Sequence, residues 1–163
     1  MSDTAAEVAV IVDEENEYVD DSARTTGTTN VGNAVATLND PTSGFYSTLK
    51  ADSFSERLAL GKAVNESTPL DQALNEEFDL ANYIVQVVDI TDSNSGEMIQ
   101  APRVTLLSKE GKAYHGTSKG LLTAIRNLNA TIGEPSTWEG NTIKVKVVEE
   151  GIRPRKYMTI KYL

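Results

Sequence analysis

Arg103, Lys112, Lys119, Lys144, Lys146, Arg153, Arg155, Lys156 and Lys161 are spread over the last third of the chain, with Tyr114, Trp138 and Tyr157 set between them. This mixture suits one kind of chemistry. Cations track a row of phosphates, and flat rings stack on bases, each stacked base being worth roughly 1–3 kcal/mol. Tyr114, on a short apolar stretch just before a helical pattern, is the foremost stacking candidate, with Trp138 and Tyr157 behind it. On this reading Tyr114→Ala weakens binding without unfolding the domain. Blander readings stand beside it. Lys144 and Lys146 alternate with Ile143, Val145 and Val147, as the solvent face of any strand does. Trp138 sits in a Pro-Ser-Thr-Trp-Glu-Gly loop, where a lone Trp also serves to anchor a loop on a core. Tyr83 fits a core position equally well.

No catalytic constellation accompanies these residues. His115 is the single histidine and there is no cysteine, which removes thiolate metal sites, disulfides and a cysteine nucleophile. No HExxH, Walker A or GxSxG pattern occurs. Ser118 beside Lys119 reads as a helix N-cap rather than a nucleophile. Asp89, Asp92 and Glu97 do not have the spacing of an EF-hand loop, and they read as a solvated turn. The expectation is a protein that is not an enzyme and needs no cofactor or metal.

A net charge of −9 argues against nucleic acid until its distribution is considered. Residues 1–40 carry −8, residues 41–100 carry −7, and residues 101–163 carry +6. The chain is electrically polarised, and the basic end is the one that holds the interleaved rings. The longest N-terminal apolar run, Val8 to Val12, is too short for a signal peptide and is followed by acids. No run approaches the roughly 20 residues of a membrane span. With no cysteine, these features point to the cytoplasm.

Those side chains need a scaffold. Residues 1–41 are rich in Ala, Thr, Asn, Gly, Asp and Glu and read as a disordered acidic tail. Ala5 to Val12 is the one piece suited to pairing with a sheet edge. From Thr42 the pattern predicts a strand over Phe45–Lys50. A helix capped by Asp52 or Ser53 follows, with a stripe of Phe54, Leu58, Leu60 and Ala63. Thr68-Pro69 opens a second short helix through Leu74. Strands follow at Asp79–Thr91, Ala101–Ser108 and Ala113–Gly116. Thr117 or Ser118 caps an amphipathic helix whose apolar positions are Leu121, Leu122, Ile125, Leu128 and Ile132, ending at Gly133 and Pro135. Two last strands, Thr142–Glu149 and Lys156–Leu163, complete the order. In the final strand Met158, Ile160 and Tyr162 are expected to face inward, and Tyr157, Thr159 and Lys161 outward. Three strands, a helix and two strands predict a mainly β fold with helices, a five-stranded OB-fold barrel over 42–163 with the helix between strands three and four.

Several pieces, in this order and spacing, resemble the small single-stranded DNA-binding proteins of tailed phages that infect Gram-positive bacteria. They are Asp52-Ser-Phe with Lys62-Ala-Val-Asn65; Gly96-Glu97 with Ala101-Pro-Arg-Val-Thr-Leu-Leu107; Gly111-Lys-Ala-Tyr-His115 with Ser118-Lys-Gly120; and Gly133-Glu-Pro135 with Trp138-Glu139, Ile143-Lys-Val-Lys-Val147 and the closing Met158-Thr-Ile-Lys-Tyr-Leu163. The resemblance runs from about Ser47 to Leu163. It implies an OB-fold protein that coats single-stranded DNA during phage replication, in company with phage or host replication proteins. Phosphates are then expected at Arg103, Lys112, Lys119, Lys144, Lys146 and Arg155, and bases at Tyr114, Trp138 and Tyr157. The long acidic N-terminus departs from the resemblance, because bacterial single-strand binders usually carry their acidic tail at the C-terminus. The competing reading is an OB-like protein-interaction or virion module that docks an acidic protein on the basic end. Monomer and homodimer are both open.

Overall fold

A computed structural model of the chain describes residues 20–25 and 45–163. Most of the expected tail, including Ala5 to Val12, lies outside the described residues. Its described part, Asp20–Thr25, is a strand, β1. The other elements are β2 (Phe45–Ser47), α1 (Phe54–Asn65), β3 (Thr68–Pro69), β4 (Glu77–Thr91), β5 (Met98–Ser108), β6 (Ala113–Gly116), α2 (Lys119–Thr131), β7 (Ile143–Glu150) and β8 (Tyr157–Tyr162). The fold is mainly β, with one sheet curled into a half-barrel and two helices, compatible with an OB-like fold. The sheet differs from the five-stranded barrel expected. Among the described residues it has eight strands in the order β3-β6-β5-β4-β7-β8, with β1 and β2 also paired to β4.

β4 is the spine of the sheet. One edge runs antiparallel to β5 from Leu80 to Thr91. The other edge is shared by three strands: β7 along Glu77–Leu80, β2 along Ile84–Gln86 and β1 along Val88–Thr91. Both of its faces are covered, so Tyr83 to Val88 are buried without interruption. A strand covered on both faces reads as a continuous apolar run, and this is why the sequence marks β4 so clearly.

The inner face carries the main core. Tyr83, Val85, Val87, Val104, Leu106, Val145, Val147, Met158 and Ile160 meet there, closed at one end by α2. Ser118 caps α2: its hydroxyl accepts from the Leu121 N–H at 3.0 Å and donates to the Met158 carbonyl at 2.7 Å. Leu121, Leu122, Ile125 and Leu128 are buried. Ile132 stands outside that face and is exposed, because it belongs to the cap rather than the helix. Gly133, at φ +98°, ends the helix in the left-handed region that a glycine enters without strain.

α1 lies on the outer face. Ser53 and Glu56 form a reciprocal capping box, as their spacing predicts. The apolar stripe does not form as expected. Ala63 is buried against Ile84 and Leu107, with Leu60 and Val64 half-buried, whereas Phe54 is 73% and Leu58 52% exposed. The predicted second helix is a single 3-10 turn, Leu70–Ala73, without a side-chain cap. Thr68 and Pro69 instead pair in parallel with Tyr114 and His115 of β6. In β8, Thr159 is buried because its hydroxyl donates to the Gly120 carbonyl of α2, whereas Tyr162 passes the end of the core and is 46% exposed.

Candidate nucleic-acid interface

The sheet divides the candidate residues between two places. Arg103 and Lys112 belong to β5 and the turn before β6; Lys144, Lys146, Arg155 and Tyr157 belong to β7, β8 and their connection. They do not form one continuous basic stripe.

On the β7–β8 side, register fixes the neighbours. Lys144 lies opposite Asp79, and Lys146 lies between Glu77 of β4 and Lys161 of β8. Lys144 is ion-paired to Asp79 at 3.6 Å and Lys161 to Glu150 at 2.7 Å. Lys156 reaches Glu149 at 3.4 Å. Exposed pairs of this kind contribute little to stability, about 0–1 kcal/mol each. The Glu150 carboxylate also raises the Lys161 ammonium above its ordinary range.

Arg153 and Arg155 are exposed on the turn that joins β7 to β8. Gly151 permits this turn: at φ +93°, a side chain there would strike the Arg155 carbonyl. Tyr157, half-exposed, starts β8. A Cβ on Gly120 would run into the Tyr157 ring, so the ring covers the first turn of α2 beside Lys119. Lys119, Arg155 and Tyr157 thus belong to one end of the half-barrel.

Tyr114 and Trp138 require correction as stacking platforms. Tyr114 is 5% exposed, its ring stacks on Phe78 with centroids 4.8 Å apart, and its hydroxyl donates to Glu76 at 2.8 Å. Trp138 is 6% exposed, and its indole N–H donates to the Gly133 carbonyl at 2.8 Å. Both rings fill the main core. β6 turns Tyr114 into the main core and His115, also buried, onto the outer face beside Ser67, and a short strand in isolation does not reveal that choice. Tyr83 is also core, with its hydroxyl on Asn129 at 2.9 Å.

Burial, reinforced by the Glu76 carboxylate, pushes the Tyr114 hydroxyl up to about 12 from its ordinary value near 10. Burial likewise raises Tyr46 and Tyr83, Tyr46 with help from Glu134 and Tyr83 with help from Tyr46. A folded-state value above the unfolded one makes the unfolded chain release its proton first. The stabilisation is therefore complete below the unfolded value and lost as pH rises through the folded one. Urea midpoints are expected to fall steeply between about pH 10 and about pH 12. The fall should be shallower in Tyr114→Phe; an identical profile would show that Tyr114 is not linked to folding.

On the other side, Arg103 is half-buried and donates to the Val64 carbonyl and the Ser67 hydroxyl, each at 3.3 Å. Ser67 Oγ lies 2.8 Å from His115 Nδ1. Lys112 is exposed on the β5–β6 turn. Between this turn and α1 lies a groove of about 780 Å³ to which Lys62, Lys109 and Lys112 contribute cations and Glu66 and Glu76 carboxylates. Lys62 and Lys109 are not among the cations the sequence marks for phosphates; their placement depends on α1 docking beside the turn. Among the described residues no cluster of His, Asp or Glu is placed to hold a metal ion, and no helix is long and apolar enough to cross a membrane.

The curled, mainly β sheet is compatible with the OB-like class of small folds. The family described as Phage Single-stranded DNA-binding protein matches residues 42–161, most of the chain, and the chain belongs to that family. No curated protein and no solved structure matches it.

Proposed function

We propose that this protein binds single-stranded DNA without reading its sequence, and shields it during phage DNA replication and recombination. The family match over 42–161 carries the reading, and the exposed cations at both ends of the half-barrel support it. Phosphates are met by Lys112 on one side and by Lys119, Lys144, Lys146 and Arg155 on the other. Of the three candidate rings, Tyr157 is the one outside the core, and it is the one that meets a base. Residues 42–163 form the binding domain, and the acidic residues 1–41, of which Asp20–Thr25 pairs with β4, compete with DNA for these cations. The protein works in the host cytoplasm beside replication proteins, and its role is binding rather than catalysis.

Retention of oligo-dT at several salt concentrations, with duplex DNA as control, tests the reading. Affinity should fall with salt with a logarithmic slope near −0.7 for each phosphate neutralised. Lys112→Glu and Arg155→Glu should each weaken binding and make that slope shallower. If wild type fails to retain oligo-dT even at low salt, the single-strand reading is wrong and an acidic protein partner takes its place.

A further inference from the structure

α1 is held on the sheet by little. Ala63 is its one buried side chain, Leu60 and Val64 are half-buried beside it, and Phe54 and Leu58 are exposed. Its capping box stabilises the helix itself, not its docking. The segment from Val64 to Ser67, at the end of α1 and just beyond it, crosses over β5, where Arg103 reaches both residues. Beneath it the face of β5 is polar. Thr105 is completely buried, yet its hydroxyl has no hydrogen bond among the described residues, and neither has Arg103 Nε. Buried polar atoms left unmet work against the covered arrangement. The adjoining groove has Leu107 in its lining, and Thr105 and Arg103 continue the same face of β5 beyond it at the two-residue period of a strand. Lys62, Lys109 and Lys112, set beside Glu66 and Glu76, thus line an open groove that leads toward unmet polar groups under the segment after α1.

We propose that α1 and Val64–Ser67 form a displaceable cover, and that a single DNA strand entering the groove lifts it to reach Thr105 Oγ1 and the Arg103 guanidinium. The proposal rests on the single-strand reading and adds a buried contact site and its gate. A ligand shifts such an equilibrium only by its preference for one state. Here the preference has a source, because these groups become available to DNA only when the cover is raised.

Two variants test this in the full-length chain. Thr105→Val removes the unmet hydroxyl at constant shape. It should leave urea stability equal or higher and weaken oligo-dT binding about three- to tenfold, the worth of one hydrogen bond. Because the sequence has no cysteine, Ala63→Cys supplies a single thiol under the cover. Maleimide labelling of that thiol should accelerate when oligo-dT is added to a variant shown to bind it. Unchanged affinity in Thr105→Val overturns the proposal, and so does labelling that stays constant or slows. In either case wild type still binds, which separates this failure from failure of the single-strand reading itself.

Discussion

Tyr114→Ala is expected to destabilise the domain by about 3–5 kcal/mol, the range for removing a large ring from a packed core. The ring is buried, stacked on Phe78, and in the same cluster as Leu106 and Leu121. Its removal leaves a cavity that β6 cannot close, because β6 is held by β5 on one edge and β3 on the other. With total stabilities near 5–15 kcal/mol, the loss consumes a large share of what holds the fold. Tyr114→Phe keeps the ring and gives up only the bond to the exposed Glu76, so about 1 kcal/mol is expected. Urea unfolding of the two variants measures both values. A cost below about 1 kcal/mol for Tyr114→Ala, together with lost DNA binding, would return Tyr114 to the interface and refute its core role.

Trp138→Ala is expected to cost a similar amount, about 3–5 kcal/mol, by a different route. The indole both fills the core and closes the chain after α2. Its N–H donates to the Gly133 carbonyl at 2.8 Å and is lost with the ring, whereas the backbone carbonyl of residue 138, which accepts from the Asn141 side chain at 2.9 Å, remains. Without the ring, the segment from Gly133 to Asn141 loses the anchor that sets where β7 enters the sheet. Loss therefore spreads from a loop into the β4–β7 pairing that presents Lys144 and Lys146. Since Trp138 is the only tryptophan, its fluorescence should report global unfolding faithfully. Adding oligo-dT should not quench it as strongly as a stacked indole. Strong quenching by oligo-dT at constant fold would place the ring in contact with bases and reject the core assignment.

Much of the scaffold was legible because local rules and tertiary packing agree. The capping box at Ser53, the Ser118 cap, the glycine stop at Gly133 and the apolar period of α2 are local devices, and the structure uses them as written. β4 announced itself by being apolar on both faces. The lysine alternation in β7 correctly marked its solvent face. α1 shows where this agreement ends. Its apolar residues suggested a packed stripe, but the sheet offers it only the small surface around Ile84 and Leu107.

The sequence by itself determined the polarised charge, the order of the main strands and helices, and the kinship with phage single-strand binders. Tertiary structure decided the rest. Which way β6 faces cannot be read from four residues, since a one-residue change of phase exchanges Tyr114 for His115. Whether Thr159 or Tyr162 is covered depends on where α2 meets β8, a contact between segments about forty residues apart. Whether the cations form one stripe or two groups depends on β4 standing between β5 and β7. Facing and burial are relations between distant segments, and side-chain type alone leaves them open until the sheet is assembled.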